Sequence, residues 1–233
     1  MSIFTEIFGI FTSNTPELWP IVGLSLQVSL SATLLAAILA LPLGVLLAIS
    51  RFWGRGAILT VASAFMALPP VVVGLLVYLL LSRAGPLGSF GILFTPSAMI
   101  IAQTLLVFPI ILSLTVEAVT PLHRSYKPLF SAYDAPKGLI IKSLIWDARF
   151  AITTAILAGF GRAIAEVGAV IIVGGNISGL TRVMTTTIAL ETSKGNLELA
   201  LALGAVLILI ALTVNAILHM VRRIGLRFEE AER

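Results

Sequence analysis

Five long, nearly continuous apolar runs constrain this chain more than any other feature: residues 21–50, 57–82, 97–118, 150–173 and 199–221. An α-helix needs about 20 apolar residues to cross a hydrocarbon core, and each run is long enough. Barrel strands would alternate apolar and polar residues over about ten positions, whereas these runs are apolar on every face. Backbone polar groups in lipid must be satisfied within the spanning element. The expectation is an all-α membrane protein of five transmembrane helices forming one domain over residues 1–233. Composition agrees, because 58% hydrophobic against 11% charged residues is far from the balance of a soluble domain.

Lys and Arg outside the runs set the orientation. Arg51, Arg55, Arg124, Lys127, Lys137, Lys142, Arg149, Arg222, Arg223, Arg227 and Arg233 fall on one side, against Arg83, Arg182 and Lys194 on the other. This predicts an external N-terminus, a cytoplasmic C-terminus, a cytoplasmic segment over 120–149 and an external loop over 174–198. The net charge of +4 then reflects topology, and no basic groove interleaved with aromatics points to nucleic acid. The lipid bilayer is the partner that composition implies. The first residues carry no Lys or Arg ahead of their apolar positions, unlike a cleaved signal peptide. Ile3, Phe4, Ile7, Phe8 and Phe11 have the spacing of a surface helix, although a frayed apolar tail fits equally.

Several chemistries are disfavoured. The chain has no cysteine and two distant histidines, His123 and His219, so neither a metal cluster nor thiolate catalysis is expected. No Gly-x-x-x-x-Gly-Lys-Ser/Thr phosphate loop occurs, and any ATP hydrolysis must come from another subunit. A membrane-embedded enzyme using Glu166 as acid or base would need a second convergent group. Glu117 and Glu198 belong near opposite faces. No catalytic residue and no cofactor is expected.

The segment 120–149 has two patterned apolar stretches separated by Pro136, Lys137 and Gly138, and reads as a helix-turn-helix. Docking in a groove of a soluble partner fits it, with Tyr133, Asp134, Ala135, Lys137, Gly138, Leu139 and Ile140 as candidate contacts. Two helices resting on lipid headgroups fit as well. Outside, Gly174, Gly175 and Gly179 permit tight backbone turns, and Thr181 to Thr192 can form a short helix that dips back, or an ordinary solvated loop.

Arg162 and Glu166 stand within the fourth run, Arg162 about 18 Å along it. Charge at that depth faces the bundle interior or a water-filled cavity. Spaced i and i+4, the two share a helix face, in the less favourable order for a helix. A structural ion pair and an anion pathway through Arg162, joined by Asn176, Thr181 and Arg182, are the two readings. Gly159, Gly161, Ala163, Ala165, Gly168 and Ala169 allow close helix approach. Pro42, Pro69, Pro70 and Pro109 each remove a helix hydrogen bond and permit a kink.

The stretches "LPPVVVGLLVYLL" (68–80) and "GFGRAIAEVGAVIIVGGNISGLTRVMTTTIALETSKG" (159–195) resemble the permease subunits of ABC importers for oxyanions. Molybdate and sulfate permeases carry similar Leu-Pro-Pro-Val and Arg-x-x-x-Glu-x-Gly-Ala elements, and residues 174–195 are similar to tungstate permeases. The resemblance implies the molybdate-type permease fold, a homodimer of this chain, two cytoplasmic ATP-binding subunits and an external oxyanion-binding protein. It implies a multi-pass protein of a prokaryotic inner membrane that passes tungstate, or else molybdate or another tetrahedral oxyanion. It also implies that 120–149 couples to the ATPase. The family's Glu-Ala-Ala run and following Gly would fall near 128–130 and Asp134, where this chain has neither, so individual coupling residues do not carry over.

Overall fold

The computed structural model describes residues 18–231, with side chains through 225; the expected N-terminal surface helix lies outside the described residues. Every expected run is helical, and no strand occurs among the described residues. The helices are α1 (Leu18–Ile49), α2 (Arg55–Met66), α3 (Pro70–Leu81), α4 (Pro96–Ala132), α5 (Lys137–Asp147), α6 (Arg149–Ile164), α7 (Gly168–Gly174), α8 (Met184–Lys194) and α9 (Leu197–Ala231). Three of them, α1, α4 and α9, are individually long and apolar enough to cross a membrane. Two further pairs meet the same condition only when taken together, α2 with α3 bent by 101° and α6 with α7 by 59°, giving up to five spans if each pair counts as one.

The bends correct the expectation drawn from proline. Pro42 stays inside α1, and Pro109, Pro121 and Pro128 stay inside α4. Only Pro69-Pro70 breaks its run. Pro69 is held extended at φ −61° and ψ 125° because a residue before proline avoids the helical region, and Pro70 opens α3, where a missing N–H costs nothing. The fourth run breaks with no proline at all, at 165–167, for reasons found at the site below.

Along α1 most buried positions are small or hydroxylated, among them Ser25, Ser29, Ala32, Thr33, Ala36, Ala40 and Gly44. Leu30, Leu34, Leu35, Ile38 and Leu39 point outward. Without a hydrophobic drive between helices in lipid, close backbone approach supplies the attraction, and α1 packs along α4 on this stripe. Ser25, Thr33 and Thr115 return their hydroxyls to carbonyls four residues back, so they cost no unsatisfied donor. The contact of α3 with α7 is closer still: a Cβ added to Gly74 would lie 2.7 Å from the Ala169 Cα.

The segment 120–149 is a helical hairpin, although its turn differs from the expected one. Its first helix is the end of α4, continuous with the span. The chain reverses at Tyr133–Pro136, with Asp134 at φ 42°, while Lys137 and Gly138 already belong to α5. Asp134 thus takes the left-handed conformation at the position where the resemblance places glycine; Asp tolerates it better than most residues. Leu144, fully buried against Val45, Val119, Ala148 and Ile152, anchors α5 beneath the bundle.

Gly74→Ala forces the Ala169 backbone away and should lower stability by about 1–2 kcal/mol. Gly23→Ala, on an open face of α1 with no atom within 4 Å of the added Cβ, should be neutral or stabilise by up to about 1 kcal/mol. Thermal unfolding in detergent compares them; equal Tm values for the two variants would contradict the close α3–α7 contact.

Candidate functional site

The break at 165–167 leaves backbone groups of α6 and α7 without helical partners inside the apolar bundle, where each would cost several kcal/mol. Three polar side chains serve groups at the break. Gln103 of α4 donates through Nε2 to the Ala163 carbonyl at 3.0 Å. Thr185 of α8 donates through Oγ1 to the Glu166 carbonyl at 2.8 Å. Glu166 itself accepts the Ala169 N–H on Oε1 at 3.2 Å, closing the first turn of α7, and accepts from Arg162 Nη1 on Oε2 at 2.5 Å. Glu166 N–H in turn donates to the Ala163 carbonyl.

Arg162 and Glu166 therefore do not share one helix face. Arg162 lies in the last turn of α6 and Glu166 lies past that helix, ahead of α7. Cations are favoured at a helix C-terminus and anions at an N-terminus. The order Arg then Glu, unfavourable within one continuous helix, becomes favourable once a break separates them. Burial is unequal: the Glu166 side chain is 3% exposed and that of Arg162 36%. The carboxylate is enclosed and committed, while one side of the guanidinium remains free.

The segment 174–198, expected on the external side, is not a solvated loop. Thr181, Met184, Thr186 and Thr187 are almost completely buried, and 184–194 forms the short helix α8. Thr181 Oγ1 donates to the Gly174 carbonyl at 2.6 Å and accepts the Ile177 N–H at 2.9 Å. Asn176, at φ 50°, accepts the Thr186 hydroxyl at 2.9 Å. The Ser25 hydroxyl of α1 accepts the Met184 N–H at 2.8 Å, capping α8 from another helix. Asn176 and Thr181 are thus spent on turning the chain back. Arg182 stands apart from the ion pair, lining a cavity of 330 Å³ with Pro20, Ile21, Leu24, Ser178 and Leu180, its Nε buried without a partner. At the far end of α8, hydrogen bonds from Lys194 and Asn196 hold the Glu191 carboxyl below the usual carboxylate range. That contribution is lost as pH falls through the depressed value.

On the opposite hairpin, Tyr133 is 78% exposed and Leu139 52%. Asp134, Lys137 and Gly138 are exposed, whereas Ala135 and Ile140 are half-buried. Gln103 and Thr185 were not singled out by the sequence. An amide within an apolar run is the available signal for Gln103; Thr185 is one of three consecutive threonines, and only the fold selects it. No group of three or more possible metal-ligating side chains occurs among the described residues.

The family model described as "Binding-protein-dependent transport system inner membrane component" matches residues 40–224. The chain is 42% identical over 216 residues to a probable anion ABC transporter permease protein of Haloferax volcanii, covering 91% of this chain and 93% of that one. It is 41% identical over 216 residues to a tungstate uptake system permease protein of Peptoclostridium acidaminophilum, covering 93% and 95%. A tungstate uptake system permease protein of Campylobacter jejuni is 40% identical over 158 residues, covering 68% and 66%.

Breaking the pair from one side should cost more than removing its charge from both. Arg162→Ala leaves a buried carboxylate unpaired and should destabilise by about 2 kcal/mol or more. Arg162→Ala with Glu166→Gln keeps an acceptor for the Ala169 N–H and should recover most of that loss. Folded yield and Tm of both variants decide; a double variant no better than the single one would refute the charge-pair account of the break.

Proposed function

Because the chain belongs to the family of binding-protein-dependent transport system inner membrane components, we propose that it forms the membrane pathway of an ATP-driven importer for a tetrahedral oxyanion, with tungstate as the substrate. Membership makes it a multi-pass ABC permease, a transport subunit rather than an enzyme, working with ATP-binding and substrate-binding partners. The single observation that carries the substrate is the near-full-length identity, about two residues in five, to a permease named for tungstate uptake. Molybdate is the second reading. The two anions have the same charge and nearly the same size, so a pathway lined by hydroxyls and backbone groups separates them poorly. Selection between them then falls to the external binding protein.

The geometry gives the pathway reading a physical basis. Arg162 is the one cation within the apolar runs, and its guanidinium is held on one side by Glu166 and open on the other. A planar fork of N–H donors recognises tetrahedral oxyanions well. Partial neutralisation by Glu166 weakens the hold on an anion, which favours passage over retention.

The hairpin 120–149 fits coupling. Its tip carries Tyr133 and Leu139 in the open and Leu144 locked in the bundle, so a load applied at the tip is transmitted to α1, α4 and α6 through rigid helices. Exposed apolar side chains on a protruding element fit a partner's groove. The Lys and Arg distribution favours a cytoplasmic position for the hairpin, on the side where an ATP-binding subunit would meet it.

Two measurements test this reading. Energised vesicles containing the complex and its external binding protein should accumulate tungstate, and the ion retained on the copurified binding protein should be tungstate; uptake of no oxyanion would sink it. For the hairpin, single cysteines at Tyr133 and Leu139 should react readily with a thiol reagent in the isolated permease and slowly once the ATPase is bound, with Ile140 changing less. Tyr133→Ala should weaken association by about 2 kcal/mol and reversal of charge at Lys137 by about 1 kcal/mol or less. Equal labelling with and without the ATPase would exclude docking through this segment.

A further inference from the structure

A second concave polar surface lies between α2 and α4, well apart in sequence from the ion pair. It is an open groove of 710 Å³ in which Arg55 and Ser63 of α2 meet Ser113, Glu117, Thr120 and Arg124 of α4. Positions 55, 59 and 63 share one face of α2, and 113, 117, 120 and 124 share one face of α4. Arg55 opens α2 immediately after the turn that ends α1, and Arg124 lies toward the end of α4, so both arginines stand on the side that the Lys and Arg distribution assigns to the cytoplasm.

Three observations separate this groove from an ordinary basic fringe at a membrane face. First, Arg55 is oriented: its Nε donates to the Leu47 carbonyl at 2.6 Å, and its remaining guanidinium N–H groups make no hydrogen bond among the described residues. Second, the charges are unpaired. The ion pairs among the described residues are Arg162–Glu166 and Lys194–Glu191, so Arg55, Arg124 and Glu117 each lack a counter-ion within bonding distance. Third, Ser113 Oγ is buried with no hydrogen-bond partner. Thr115 and Thr120 on the same helix return their hydroxyls to the carbonyl four residues back, the usual way for a hydroxyl to avoid a penalty in a membrane helix. Ser113 does not. A buried donor left free in a groove that also holds two unpaired guanidinium groups is half of a hydrogen-bonded site, and the missing half is an acceptor of negative charge.

We propose that this groove binds a tetrahedral oxyanion group, held by Arg55 and Arg124 with the unpartnered Ser113 hydroxyl as a neutral donor, while Ser63 lines the wall beside them. The proposal rests on the oxyanion-import reading above for one of its two possible ligands. The group can come from the transported anion on its way out of the pathway. It can equally come from the phosphate of an anionic inner-leaflet lipid, because the groove is open along its length. Glu117 opposes either ligand, which limits affinity and lets the anion leave. Removing that carboxylate charge should therefore tighten the site.

The test uses the absence of native cysteine. Ser63→Cys is placed in the permease, the permease–ATPase complex is reconstituted in nanodiscs, and the rate of modification by an uncharged thiol reagent is followed at constant ionic strength. In phosphatidylcholine discs, tungstate at ten times its dissociation constant should slow the reaction by about tenfold. Arg124→Gln should abolish this protection, Arg124→Lys should retain part of it, and Glu117→Gln should shift it to lower tungstate concentration. A control cysteine at Ser193 should be unaffected. If tungstate has no effect but replacing phosphatidylcholine with phosphatidylglycerol slows labelling in an Arg124-dependent manner, the site stands and its ligand is the lipid phosphate. Absence of protection by both probes, or protection that survives Arg124→Gln in a variant with an unchanged Tm, overturns the proposal. Uptake by the same Ser63→Cys complex separates the two readings: transport without protection removes the groove alone, while Arg124-dependent protection without transport of any oxyanion removes the import reading and leaves the site.

Discussion

A helix cannot be interrupted inside a bilayer unless every backbone group that the interruption frees finds a partner, and the rest of this structure depends on how that condition is met at residues 165–167. The freed carbonyls of Ala163 and Glu166 are served by Gln103 and Thr185 from two other helices. The Ala169 N–H in the first turn of α7 is served by the Glu166 carboxylate. Arg162 balances that carboxylate from the end of α6. Three elements distant in sequence are thereby tied to one point. The charges have a structural purpose before any transport purpose is considered: the break separates the pair so that each charge sits at the helix end that favours it.

Close backbone contact transmits this arrangement. Because α3 and α7 approach where Gly74 meets Ala169, the two bent helix pairs are packed against one another. On the opposite side, the stripe of small residues on α1 seats it along α4, whose final turns run unbroken into the hairpin ending at Tyr133. The hairpin is consequently an extension of a core helix. In an ATP-driven importer this is the useful property, since displacement of the tip moves a helix that also carries Gln103, a partner of the break.

The distribution of positive charge follows the same division. Within the apolar runs there is a single cation, Arg162, half neutralised and half open. At the membrane face assigned to the cytoplasm, Arg55 and Arg124 are unneutralised and flank a groove with a free hydroxyl. On the pathway and groove proposed above, an anion would pass from a half-neutralised cation to a pair of arginines, with Glu117 there to limit its retention.

The sequence by itself determined the helical membrane class, the number of apolar runs, the presence of a helical hairpin over 120–149 and the family, because each of these is carried by local composition, run length or a contiguous motif. It also pointed to Arg162 and Glu166, since charge is conspicuous in a run that is otherwise oil. What it did not contain is where helices stop. Four prolines read as possible kinks; Pro42 and Pro109 are accommodated, Pro69-Pro70 produce one 101° bend, and the other break has no proline. The role of Thr185 among three adjacent threonines, the turn at Asp134 instead of Gly138, and the commitment of Asn176 and Thr181 to internal hydrogen bonds were decided by tertiary structure alone. The physical reason is common to all of them: in lipid the cost of an unsatisfied backbone group is so large that a break exists only where distant side chains can satisfy it, and which distant side chains arrive there is a property of packing, not of neighbouring residues.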